Sequence, residues 1–265
     1  MFQVKNFVGK AGNDDITVTD EKGPFRVAEY ARDLSVSPAD SVVAYFSSEM
    51  NVRKRQLVCR MDNNGITTQA GAMQWFAGDV NCTTGVKGVG DFAVKAFRGK
   101  ATGESAIKPE YVGSGLLVLE PTYRYLLLMD GSEWPGGVVL DDGLFLACES
   151  TLRQSTVMRS NFSSAIAGGE GLFNLKLDGK GAFCIEADCP REELIEINMT
   201  DDVLKIDGNF AVAWSAGLSF TVERSGKSLL GSAASGEGLV NVYRGTGRVL
   251  MMPVRGSRLS FPTVE

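Results

Sequence analysis

The sequence contains no histidine. That removes Ser-His-Asp and Cys-His catalysis, imidazole proton transfer and every His-containing metal site. Carboxylate, lysine and tyrosine chemistry survive. Cysteine is sparse and scattered, at Cys59, Cys82, Cys148, Cys184 and Cys189. Only Cys184 and Cys189 are close, and no Cys-x-x-Cys pair exists to begin a zinc site. Cys148 and Cys184 sit in the apolar runs LFLAC and GAFCIEA, so buried reduced thiols and a reducing cytoplasm are expected. Long hydrophobic runs are also missing. Stretches such as residues 125–129 (YLLLM) fall far short of the roughly 20 residues a bilayer span needs. The opening residues, MFQVKNFVGKAGNDD, show no charged-then-apolar leader pattern, so a soluble cytoplasmic protein is expected.

What is there supports a globular fold. With 44% hydrophobic and 22% charged residues over 265 positions, the chain can bury a sizeable core. Its formal net charge of −5 gives no overall attraction to nucleic acid or anionic lipid.

Self-similarity organises the sequence. Gly-Glu pairs stand at Gly103-Glu104, Gly169-Glu170 and Gly236-Glu237, at almost equal intervals along the chain. A Gly-x-Gly follows each pair: Gly113-Ser114-Gly115, Gly179-Lys180-Gly181 and Gly245-Thr246-Gly247. Apolar runs then begin at Leu116, Ala182 and Arg248. Leu140-Asp141-Asp142-Gly143 likewise precedes Ile206-Asp207-Gly208-Asn209 by the same interval. These spacings predict a partial module over 55–100, full modules over 101–166 and 167–233, and a final partial one over 234–265. Residues 1–54 read as an N-terminal elaboration packed on the core, all within one compact unit. The N-terminal region is expected to complete the last module, with Asn63-Asn64-Gly65 standing in for the Asp-Asp-Gly turn.

The module reads as β structure. Asn-Gly, Asp-Gly and Gly-x-Gly supply the positive φ angles of tight hairpins, so each Gly-x-Gly is expected to be a hairpin turn. The flanking runs are short, rich in Val, Leu, Ile and Phe, and often alternate, as in Leu204-Lys205-Ile206. Short helices are expected over 37–47, with Ser37 as N-cap and Pro38 in the first turn, and over 90–98. The predicted fold class is all-β: repeated β-sandwich modules in a pseudo-threefold arrangement, with few short helices.

At these residues a family resemblance enters. GGEGLFNLKLDGKGAFCIEA, then LKIDGNFAVAW and SGEGLVNVYRGTGRVLM, resembles the altered-inheritance-of-mitochondria twenty-four family. AGAMQW (residues 70–75) and KATGESAIKPEYVGSGLLVLEP fit the same pattern, and the resemblance covers about residues 55–255. It implies β-sandwich modules around a pseudo-symmetry axis, with a fold like that of the tryptophan RNA-binding attenuation protein. Eukaryotic relatives are mitochondrial and linked to inner-membrane organisation. Bacterial relatives, which this chain resembles in the expected lack of a targeting segment, have no established biochemical activity. The family carries no accepted catalytic residues, so the resemblance transfers none.

Several candidates remain to be weighed. Glu104, Glu170 and Glu237 recur at one module position. Brought together they would ligate a hard cation or bind a cationic group; as local staples they would accept amides of their own Gly-rich loops. The second reading is favoured. The Gly-x-Gly elements lack the strand-to-helix context of a phosphate loop. Residues 91–100 (DFAVKAFRGK) put Phe92, Ala93, Ala96 and Phe97 on one helical face, as a cap on an open sandwich end or as a surface-docking helix. The basic run Val52-Arg53-Lys54-Arg55 lacks aromatic interleaving for RNA and reads as a solvated edge strand.

The functional expectation is a non-catalytic binding or scaffold protein acting as a homo-oligomer. Protein partners or a membrane surface are possible contacts; no cofactor, resident metal or nucleic acid is expected. The alternative is a small-ligand or nucleotide/RNA-binding protein using a cleft between modules. A metal-dependent hydrolase built on the repeated glutamates ranks last.

Overall fold

The computed structural model describes residues 2–8, 13–83, 108–158, 173–224 and 239–254. The chain opens with a hairpin, β1 (Ile16–Lys22) and β2 (Phe25–Tyr30), followed by α1 (Ser41–Glu49). Two long strands follow, β3 (Arg55–Thr68) and β4 (Met73–Thr83), and then β5 (Glu110–Leu119). The middle of the chain holds β6 (Tyr125–Asp130), β7 (Val138–Leu140), β8 (Phe145–Glu149) and β9 (Arg153–Met158). It continues through β10 (Phe173–Asp178) and β11 (Ala182–Ala187). The last group is β12 (Ile195–Asp207), β13 (Ala211–Ser215), β14 (Ser219–Arg224) and β15 (Leu239–Met251). The protein is all-β, as the sequence predicts.

Every ladder is antiparallel, and the strands form two sheets. The eight-stranded sheet runs β1-β2-β3-β8-β11-β6, with β5 pairing β3 and β4. The seven-stranded sheet runs β12-β15-β13-β7-β10-β9, with β14 pairing β15. Sequence patterning follows from which faces are covered. In β3, Leu57, Cys59 and Met61 point into the interior of the eight-stranded sheet, while Val58 points to the opposite face. There Val58 and Val118 meet Phe7 and Trp75, whose ring centroids are 5.9 Å apart. In β6 both faces are buried: Leu126 and Leu128 face that interior, Leu127 and Met129 face the core between the sheets. This accounts for the unbroken YLLLM run, because a strand covered on two sides has no polar face.

The Gly-x-Gly elements are not hairpin turns, and here the structure corrects the sequence reading. Gly113-Ser114-Gly115 lies inside β5, and Gly245-Thr246-Gly247 inside β15. Each faces a bulge in its partner strand. The β3–β5 register jumps from Met61↔Gly115 to Asn64↔Gly113, so Asp62 and Asn63 together oppose Ser114. The β12–β15 register jumps from Met199↔Gly247 to Asp202↔Gly245, so Thr200 and Asp201 oppose Thr246. Asn63 and Asp201 take left-handed φ values of 51° and 49°. Their N–H groups donate to Ser114 Oγ and Thr246 Oγ1, both at 3.0 Å. One device thus occurs twice: a hydroxyl between two glycines holds the amide that the bulge frees. Glycine is required beside it, since Cβ atoms on Gly113 and Gly115 would lie within 3 Å of the Asp79 and Ala77 carbonyls.

Gly179-Lys180-Gly181 behaves differently. It joins β10 to β11, which belong to different sheets and do not pair. Its central residue is a lysine, with no hydroxyl acceptor, and the strand is broken there rather than bent. Asn63-Asn64-Gly65, expected as a turn, is likewise part of continuous β3. Among the described residues the N-terminal region does not complete the last group of strands: β15 pairs β12, β13 and β14, whereas β3 pairs β2, β5 and β8. The expected helix starts later than 37, at Ser41, after a turn in which Ser37 Oγ accepts the Asp40 N–H at 3.3 Å. The expected helix over 90–98 lies outside the described residues.

The bulge device makes a stability prediction. Ser114→Ala and Thr246→Ala should each cost about 0.5–1 kcal/mol, the net worth of one partly solvated hydrogen bond, and should add in the double variant. Gly113→Ala, placed at φ +135° against backbone, should cost more than either. Urea midpoints of the four variants against the parent chain measure the ordering.

Candidate functional site

The charged groups that sequence reasoning assigned to a solvated edge are drawn inward. Glu29 ends one ladder segment and Arg55 begins β3, and the β2–β3 register sets them directly opposite each other. Arg55 is 3% exposed. Its Nε donates to Glu29 Oε2 at 2.9 Å, and its Nη2 donates to the Asn51 carbonyl at 3.0 Å and to Asn51 Oδ1 at 2.9 Å. Nη1 reaches the Arg53 carbonyl at 3.2 Å, and Arg53 Nη1 binds the second Glu29 oxygen at 3.0 Å. The Tyr125 ring lies 4.3 Å from the Arg55 guanidinium carbon, and its hydroxyl donates to the Asn51 carbonyl at 3.2 Å. Arg55 is buried where β3 pairs β2, and a carboxylate meets its charge there.

Lys54 points the other way. Its Nζ lies 2.8 Å from Asp33 Oδ1, and the Tyr123 hydroxyl donates to Asp33 Oδ2. Burial opposes the charged form of Asp33, but the Lys54 ammonium, the Tyr123 hydroxyl and the Ser35 amide outweigh it and lower its pKa. Burial and the Asp33 carboxylate push Tyr123 up to about 12. Each of the three cations of the basic run thus has a carboxylate partner inside the chain, Glu29 serving both arginines.

A hollow lies on each side of this strip. One, of about 320 Å³, sits beneath α1 against Tyr30, Asp33, Lys54 and Tyr123. The other, of about 330 Å³, lies between β1 and β6 and is floored by Glu29 and Arg55. α1 buries none of its residues. Val42, Tyr45 and Phe46 are each more than 60% exposed, as are Leu34 before the helix and Met50 after it. Glu49 is the only charged residue within the helix.

The thiols offer no nucleophile in this region. Cys59, Cys148, Cys184 and Cys189 are buried and free, and Cys82 is exposed. Burial raises Cys59 and Cys184, and takes Cys148 to about 12 and Cys189 to about 11. Among the described residues no group of three or more Cys, Asp or Glu is placed to hold a metal ion. Glu104, Glu170 and Glu237 lie outside the described residues, as does the segment 91–100. The sequence reading missed Glu29, Asp33 and α1's exposed face. Glu29 and Arg55 are distant along the chain, and only the ladder register shows that they meet.

Two outcomes test the strip. Glu29→Gln strands the Arg55 charge and should cost roughly 3–5 kcal/mol, whereas Glu29→Leu with Arg55→Met should cost less, by urea unfolding. Because the Asp33 pKa is lowered on folding, its stabilisation is present above the ordinary carboxylate value and fades as pH falls through the lowered one. Wild type should therefore lose thermal stability more steeply than Asp33→Asn between about pH 5 and pH 2, by calorimetry.

Comparison with known proteins places the chain. An uncharacterized protein of Streptococcus pyogenes serotype M6 is 28% identical over 189 residues, covering 68% of this chain and 73% of that one. A crystal structure of a Streptococcus pyogenes protein, determined by a structural genomics consortium, superposes with a TM-score of 0.57 at 23% identity. The match covers 78% of this chain and 90% of that one, and it shows a shared fold. The family profile described as Mitochondrial biogenesis AIM24 matches residues 48–254, which span both sheets, and the chain belongs to that family.

Proposed function

We propose that this is a non-catalytic binding or scaffold protein that works as an oligomer, with α1 as the contact between copies. The observation that carries the reading is the helix's apolar surface. Leu34, Val42, Tyr45, Phe46 and Met50 form a run of exposed large side chains on and beside a helix with no fully buried residue. The Tyr45 and Phe46 rings already pack edge-on with centroids 5.4 Å apart, an aromatic pair of the kind that anchors interfaces.

Charge favours a second copy as the occupant. The neighbouring cations Arg53 and Lys54 are paired with Glu29 and Asp33, so a twofold contact through α1 sets few like charges against each other. Anionic lipid is a poorer match, because interfacial helices carry a basic face and α1 has no Lys or Arg. No helix of the described residues is long and apolar enough to cross a membrane. Absence of histidine and the raised, buried thiols support the non-catalytic part.

Light scattering and native mass spectrometry should give a mass that is a whole multiple of the single-chain mass. Phe46→Glu with Val42→Asp should shift the species toward the single chain while leaving the circular dichroism unchanged, since neither side chain is buried. A wild type that stays a strict monomer at micromolar concentration would refute the assembly reading.

A further inference from the structure

The eight-stranded sheet curls until its two edges, β1 and β6, face each other. Some of their Cα atoms come within 8 Å, yet no ladder joins them. Side chains pin this seam at both ends. At one end Lys22 Nζ meets Glu133 Oε1 at 3.3 Å; at the other, Arg55 of β3 and Asn51 before it hold Tyr125 of β6 in place. Between the pins lies the 330 Å³ hollow, within the size range of small-molecule sites.

Its walls carry three kinds of group. On β6, alternation of the ladder sets the hydrogen-bonding direction. Gly131 N–H donates to the Gly181 carbonyl, so odd-numbered residues of β6 pair with β11. The N–H and C=O groups of Leu126 and Leu128 consequently face the seam. The Leu128 carbonyl accepts from the Arg191 guanidinium, which overhangs the slot. Arg191 has no carboxylate within 4 Å among the described residues.

The facing wall is shaped by a bulge. The β1–β2 register jumps from Val18↔Ala28 to Asp20↔Val27, leaving Thr19 as the extra residue. Thr19 and Asp20 line the slot. Asp20 accepts the neighbouring Glu21 N–H at 2.8 Å, and no cation lies within 4 Å among the described residues. Asp20 and Arg191 both line the slot, Asp20 from β1 and Arg191 from beside β6, to which it is bonded. Val27 and Leu126, on the same interior face, supply an apolar wall.

We propose that this seam binds a small zwitterion, an apolar amino acid or its dipeptide. The ligand carboxylate meets Arg191 and the outward N–H group of Leu126. Its ammonium meets Asp20, and its side chain lies on Val27 and Leu126. The pins limit length: the open stretch of β6 spans roughly 7–10 Å at about 3.3 Å per residue, enough for one or two residues and too short for a longer added strand. This site is separate from α1 and does not depend on oligomer formation.

Calorimetric titration with L-leucine and leucyl-leucine tests it, with N-acetyl-leucine and leucinamide as ligands that each lack one charge. The full chain should bind the zwitterions and bind each blocked form at least tenfold more weakly. Arg191→Met and Asp20→Asn should each weaken zwitterion binding at least tenfold, while the circular dichroism of each variant without ligand matches wild type. No heat with either zwitterion at millimolar concentration overturns the proposal. So does binding that survives both substitutions, or N-acetyl-leucine binding as tightly as leucine, which would make the slot a plain anion site.

Discussion

The carbonyls of Ala77 and Asp79 occupy the space where side chains on Gly115 and Gly113 would begin. That close approach lets β4, β5 and β3 stay paired while they bend. A long strand in this fold serves two neighbours in turn: β3 leaves β2 and joins β8, and β15 runs beside β14 and then β13. The bend needs an extra residue in one strand, and that residue's amide loses its ladder partner. Ser114 and Thr246 supply the acceptor. Where Lys180 stands instead, the two halves part, and one goes to each sheet. The core between the sheets rests on that parting, because β10 and β11 each contribute to it from opposite sides.

Curling has a second consequence. A sheet that closes without a final ladder leaves two edges to be managed. Arg191 caps one edge carbonyl, the Thr19 bulge turns the opposite edge, and the Lys22–Glu133 ion pair fastens one end. The same curvature carries Arg55 indoors, where Glu29 must neutralise it. The Asn51–Arg55 segment then anchors α1 at a fixed place on the outside, with its apolar residues uncovered. The protein's uncovered surfaces thus follow from how its main ladder is made to end.

Much of the architecture was legible from residue pattern. Short alternating runs and turn glycines announced β structure, and Cys148 and Cys184 in apolar runs announced buried thiols. The Gly-x-Gly elements were read as special backbone and assigned the wrong kind. Hairpin turns and bulge crossings both select residues tolerant of positive φ, so local chemistry does not separate them; only the partner strand does. The basic run 52–55 misled for a related reason. Its charge is visible in the sequence, but Glu29 and Asp33 become its partners only once β2 and β3 are in register. Asp20 and Arg191 lie farther apart still, in opposite halves of the sequence, and nothing local links them.

By itself the sequence determined the all-β class, the absence of histidine chemistry, the buried cysteines and the family motifs. Each depends on composition or on residues close along the chain, where periodicity and φ preference act directly. The tertiary structure alone decided that glycine pairs mark crossings, that Arg55 is neutralised by Glu29, that α1 stands exposed, and that β1 and β6 leave a slot between them. These depend on strand register and sheet curvature, which are set by packing across long separations, where a shift of a single residue exchanges inside for outside.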